Sequence, residues 1–170
     1  MDDRLQRWLD TAEITSHKFA FARAADDGDV QRMVARFTSG CTAAYLPGEP
    51  AIVGRHRLRA WYADRTADVV SSSHHVSNVE VEFAGADVAH LRCYLYSWQR
   101  YADQLQRPDR HVWARYVDTW IRTPDGWHQS ALVYLLAGEV TATGTPRIGE
   151  HLRSAAWLTG RPDAAGPAST

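Results

Sequence analysis

At 170 residues, 45% hydrophobic and 23% charged, the chain has the length and composition of one folded domain with a sizeable core. Nineteen Lys and Arg against 20 Asp and Glu give a formal net charge of -1, which offers no bulk attraction to nucleic acid or an anionic membrane. No apolar run approaches the roughly 20 residues of a membrane helix, and Met1–Arg7 leads into no signal-like apolar segment, so a cytoplasmic protein is expected.

In chain order, Leu5, Trp8, Leu9, Ala12, Phe19 and Ala22 recur at helical spacing and predict an amphipathic helix over about 3–25. Asp26-Asp27-Gly28-Asp29 interrupts it, and Asp29 is placed to cap a second helix with Val30, Met33, Val34 and Phe37 inward. Cys41 to Leu46 reads as a strand, stopped by Pro47-Gly48-Glu49-Pro50. A third helix follows Gly54, carrying Leu58, Trp61 and Tyr62 on one side. From Ser71 the period becomes two. Strands are expected over Val76–Phe83, Ala89–Tyr101, His111–Arg122 and Trp127–Ala137, with a polar loop at Ala102–Arg110 and a hairpin turn at Pro124-Asp125-Gly126. The arginine-rich strips Arg55–Arg59 and Arg107–Arg110 read as solvated faces. Residues 1–140 form one expected domain. Residues 141–170 form an extension, with a short helix over Ile148–Leu158 and then a tail.

Three helices followed by long antiparallel strands define an α+β arrangement in which the helices cover one face of a curved sheet. Such a sheet leaves a hollow, and bulky amphipathic side chains are available to line it. Tyr94, Tyr96 and Trp98 share one parity of a strand, and Trp113, Arg115 and Val117 share one parity of the next. Aromatic walls with a few polar groups suit a small hydrophobic or aromatic substrate. Only one parity per strand can face inward, and the alternative is that these residues fill a core or an interface between subunits.

His74 and His75 are adjacent in a strand, so one points inward and the other outward. An imidazole takes and gives a proton near neutrality, Asp26 could fix its tautomer, and Tyr45 could donate to a substrate oxygen. Asp26 has a second reading, as a cap for the second helix. The eight histidines form no chelating pair, and Cys41 and Cys93 are too far apart for a metal or redox motif. The cysteines read as buried thiols in a reducing compartment. No nucleotide fingerprint and no Gly-x-Ser-x-Gly motif is present. The expectation is therefore chemistry with no metal and no organic cofactor.

Several stretches together carry a family resemblance: Phe19–Asp29 (FAFARAADDGD), Gly54, Ser73–Asn78 (SHHVSN), Gly85–Ala89, Tyr116-Val-Asp118 and Asp125-Gly-Trp127. In this order they resemble the SnoaL-like branch of the nuclear-transport-factor-2-like superfamily, over about residues 5–135. The resemblance implies a cone-shaped, curved mixed sheet wrapped on its concave face by three N-terminal helices. Within the superfamily the chain looks most like the group of scytalone dehydratase and small polyketide-tailoring cyclases. That likeness implies a base made of His74 and Asp26, with Tyr45 polarising the substrate. It also exposes two departures. Trp98 stands where the group has a second histidine, and Ala25 stands where it has a tyrosine before the aspartate. His111, sharing parity with Trp113 and Arg115, is the candidate replacement acid, with Glu139 and Tyr96 behind it. The implied function is dehydration or ring closure of an aromatic or polyketide-like metabolite. The alternatives are a non-catalytic subunit or ligand-binding module and a ketosteroid-isomerase-like proton transfer. Pairing of two copies through the outer sheet face is expected from the superfamily.

Overall fold

The computed structural model describes residues 2–46, 48–103 and 106–142, so the expected helix at Ile148–Leu158 lies outside the described residues. The elements are α1 (Asp3–Asp26), α2 (Val30–Val34), β1 (Phe37–Ala44), β2 (Ile52–Val53), α3 (Arg55–Thr66), β3 (Val69–Phe83), β4 (Val88–Tyr101), β5 (Asp109–Thr123) and β6 (Gly126–Ala142). The six strands form one curved sheet in the order β2-β1-β6-β5-β4-β3, parallel only between β1 and β6. The helices pack on its concave face, which makes the chain an α+β cone. Among the described residues no helix is long and apolar enough to cross a membrane.

The first helix has the expected length but a different inward face. Its buried residues are Asp10, Ile14, Lys18, Phe21, Ala22, Ala24 and Ala25, whereas Leu5, Trp8, Leu9 and Phe19 are exposed. Two charged side chains point inward because each finds a partner there, which hydropathy spacing does not register. Asp10 accepts from Trp127 Nε1 at 3.1 Å and from Gln6 Nε2 at 3.0 Å, and also meets the Arg122 guanidinium. Phe37, expected on the second helix, instead opens β1, because α2 is a single five-residue turn.

Bulges decide which side chains face the helices. In β3 the pairing with β4 shifts between Ser77 and Glu80, where Asn78 takes the left-handed conformation at φ 50°. The extra residue moves the inward parity from His74 and Val76 to Val79, Val81 and Phe83. Pairing between β5 and β6 slips twice, so that Ser130 and Ala137 on β6 have no partner in the β5 register. On β6 the inward set accordingly changes from Trp127 and Gln129 to Leu132 and Tyr134, then to Glu139. Each bulge also bends its strand, which curls the sheet around the helices.

Candidate active site

Three donors converge on the Asp26 carboxylate at the end of α1. Oδ1 lies 2.6 Å from His74 Nδ1 and accepts from Ser72 Oγ at 3.1 Å, while Oδ2 accepts the His74 backbone N–H at 3.0 Å. A carboxylate accepts and does not donate, so Nδ1 carries a proton, and in the neutral ring Nε2 is then the bare nitrogen. Nε2 has no hydrogen-bond partner among the described residues, and the ring lines a cavity of about 640 Å³. That volume suits a small organic molecule. Asp26 is free for this role because Asp29 caps α2, accepting from the Arg32 N–H at 3.0 Å. His75 turns the other way, toward Ser73 Oγ at 2.9 Å and the Tyr96 ring.

A second polar group in the cavity is built from tyrosines on three elements. The hydroxyls of Tyr45, just after β1, and Tyr62, on α3, share a hydrogen bond of 2.5 Å. Tyr116, on β5, lies close enough to influence the titration of both. Burial pushes all three hydroxyls well above the ordinary tyrosine range, so each keeps its proton and can donate it as a hydrogen bond. Trp61 stacks on Tyr45 with ring centroids 4.5 Å apart, which fixes the orientation of that phenol. From β4 the cavity receives Ser97, directly across the ladder from His74, and Gln99.

The six expected wall residues stand elsewhere. Tyr94, Tyr96, Trp98, Trp113, Arg115 and Val117 belong to the opposite parity and lie on the convex face. The inward parity of β4 and β5 runs Leu91, Cys93, Leu95, Ser97 and Val112, Ala114, Tyr116, Asp118. The concave face does take rings where the helices leave room, as at Tyr116, Trp120 and Trp127, but the parity that faces the helices on β4 and β5 is the one opposite to Tyr94, Trp98 and Trp113. Trp98 Nε1 donates to Asp109 at 3.0 Å, and the Arg115 guanidinium lies 4.8 Å from the Tyr94 ring centroid. His111 is likewise convex, with Nδ1 at 2.8 Å from the Tyr96 hydroxyl, so it does not replace the missing acid. Glu139 reaches the cavity rim, but Arg110 engages it at 2.6 and 2.9 Å.

Of the expected catalytic set, then, the fold brings Asp26 and His74 into contact and puts Tyr45 in the same cavity, while it excludes His111. Sequence reasoning did not select Tyr62, Tyr116, Ser97 or Gln99. The first two carried a usable signal, since Tyr62 was already on the inward side of its helix and Tyr116 belonged to the matching Tyr-Val-Asp. Ser97 and Gln99 flank the conspicuous Trp98, and only strand parity reveals them.

A curved sheet closed by three helices around a histidine–aspartate pair defines the class as a cone-shaped α+β protein with an internal pocket. The sequence matches the SnoaL-like domain over residues 6–133, and the chain belongs to that family. None of the curated proteins compared matches it. Among solved structures it is similar to a protein provisionally assigned as a scytalone dehydratase from Novosphingobium aromaticivorans. The TM-score is 0.73 at 20% identity, covering 85% of this chain and 94% of that one. It is also similar to a hexachlorocyclohexane dehydrochlorinase from Novosphingobium barchaimii, with TM-score 0.76, 14% identity and 86% and 99% coverage. A third neighbour, provisionally assigned as an aromatic ring hydroxylase from Novosphingobium aromaticivorans, gives TM-score 0.71 at 21% identity with 78% and 93% coverage. At these identities the likeness is one of fold.

Proposed function

We propose that the protein is a cofactor-independent lyase or cyclase acting on a small aromatic or polyketide-like metabolite. The observation that carries the reading is the 2.6 Å His74–Asp26 contact, made through Nδ1 by a ring that lines a cavity. In this reading Nε2 removes a proton next to a substrate carbonyl, and Asp26 stabilises the imidazolium that forms. The Tyr45–Tyr62 pair, with Tyr116 beside it, donates hydrogen bonds to the carbonyl oxygen as negative charge gathers there. The imidazolium then returns its proton to a departing hydroxyl, which completes a dehydration, or to the oxygen released in a ring closure. Base and donors occupy one pocket whose lining mixes apolar side chains such as Phe21, Met33, Leu95 and Val112 with polar ones, and where bound substrate displaces water these charges act more strongly. Of the neighbours in fold, one is provisionally assigned as a dehydratase and one is a dehydrochlorinase; loss of water and loss of hydrogen chloride are both eliminations, which agrees with this class.

The test is turnover of a panel of cyclic hydroxyketones and phenolic polyketide analogues, followed by chromatography. Wild-type protein converts a member of the panel, while His74→Ala and Tyr45→Phe reduce turnover. Full activity in both variants would remove the mechanism. We also place the protein in the cytoplasm, where two buried free thiols are stable. The convex face is proposed to seat a second copy. Tyr94, Trp113, Leu135 and Val140 are each nearly half exposed there, and Trp113→Glu should shift sedimentation from dimer to monomer.

A further inference from the structure

Beneath the tyrosines lies an ion pair that the mechanism above does not use. Lys18 Nζ and Asp118 Oδ2 are 2.8 Å apart, and both side chains are 0% exposed. Neither charge has a further partner among the described residues. The ammonium lies 3.5 Å from the centroid of the Tyr116 ring and 5.1 Å from that of Phe21, and both rings line the cavity. Lys18 and Asp118 themselves do not line it. Buried pairs of this kind can often be replaced by apolar residues without loss of stability, so packing alone gives little reason for one here. Its position gives a reason. A cation on the face of a phenol ring draws electron density from the hydroxyl and favours negative charge beyond it, most strongly where water is excluded. Asp118 acting alone pushes the neighbouring tyrosine hydroxyls the other way, toward holding their protons. The ammonium, 3.5 Å from the Tyr116 ring centroid, carries the opposite charge.

We propose that Lys18, held against Tyr116 by Asp118, is a positioning residue that supplies fixed positive charge behind the tyrosine cluster. The pocket then prefers a ligand oxygen bearing negative charge over a neutral group of similar shape. The proposal rests on the reading that the tyrosines receive the developing oxyanion, and it narrows the substrate class to compounds that pass through an enolate or phenolate.

The experiment compares the affinities of para-nitrophenolate and nitrobenzene, in buffer alkaline enough to ionise the phenol, for wild-type protein and Lys18→Met/Asp118→Leu. Thermal unfolding of both proteins is recorded alongside. The wild type is expected to prefer the phenolate. The double variant is expected to melt at a similar temperature and to lose that preference roughly tenfold, with nitrobenzene binding unchanged. A folded double variant that keeps the preference overturns the proposal, because the pair is then structural only, and leaves the proposed function standing. A wild type with no preference removes the tyrosines' role in the proposed function and this proposal with it. If the double variant does not fold, Lys18→Gln/Asp118→Asn, an uncharged hydrogen-bonded pair of similar size, is read against the same outcomes.

Discussion

The N-terminal half and the C-terminal end of α1 each present a carboxylate to the sheet, and they do opposite things with it. In the N-terminal half, Asp10 is saturated by Trp127 Nε1, Gln6 Nε2 and the Arg122 guanidinium, while Glu13 accepts the Trp127 backbone N–H at 2.8 Å. The donors to Asp10 are an indole, an amide and a guanidinium, and the Trp127 side chain is fully buried; the imidazole there, His17, lies 3.3 Å from Glu13 and does not line the cavity. At the C-terminal end, Asp26 also takes three hydrogen bonds, but one of its donors is an imidazole that lines a cavity and whose second nitrogen has no partner among the described residues. A carboxylate surrounded by indole, amide and guanidinium groups anchors a fold. A carboxylate that holds a titratable ring with one free nitrogen can run proton transfer. The lesson is that a site is recognised by what its donors leave unsatisfied.

The largest expected effect lies at the open end. His74→Gln should lower turnover by about 10²–10⁴-fold, with a melting temperature close to that of wild type, because the ring supports chemistry more than packing. Steady-state kinetics beside calorimetry checks both halves, and a large stability loss would erase the contrast between the ends. Asp26→Asn should follow, lowering kcat by about 10²-fold or more with a smaller change in KM, since an amide no longer enforces the Nδ1–H tautomer. An unchanged kcat would reduce Asp26 to an anchor like Asp10.

The closed end is tested by stability. Gly126 sits at φ 99°, and a Cβ there would come 2.4 Å from Glu13 Oε1. Gly126→Ala should therefore cost about 2 kcal/mol in urea unfolding while activity per folded molecule stays unchanged. The smallest effect concerns pH. Burial alone would raise the Asp10 carboxyl, but hydrogen bonds from Arg122, Trp127 and Gln6 outweigh it and hold the group below the ordinary carboxylate value. Because the folded value is depressed, the stability from Asp10 is fully present above the unfolded value of about 4 and is lost as pH falls through the folded one. Urea titrations at descending pH should show a shallower acid loss for Asp10→Asn than for wild type.

Much of this molecule was readable before its structure. The three helices, the strand order along the chain and the turn at Asp125-Gly126 follow from local period and turn chemistry, which act over a few residues. Asp26, His74 and Tyr45 followed from residue type and family likeness. Misplaced were the aromatic wall and His111, because inward parity on β4 and β5 depends on what the helices leave room for. The β pattern is placed from Ser71 and its clear alternation only from Val76, whereas β3 starts at Val69, because the polar run Ser71–Ser73 and the histidines carry no apolar alternation.

Periodicity, turns and side-chain acidity are local properties, and they already imply the class of fold and the chemically apt residues. Which of those residues meet is settled by packing between distant segments. It turned His74 inward and His75 outward, withdrew Trp98 and His111 to the convex face, and gathered Tyr62 and Tyr116 around Tyr45. It also buried Lys18 against Asp118, a pairing across 100 positions of sequence that no local pattern announces. The physical reason is that bulges and helix packing set the facing of every strand, and both are fixed by contacts between distant segments.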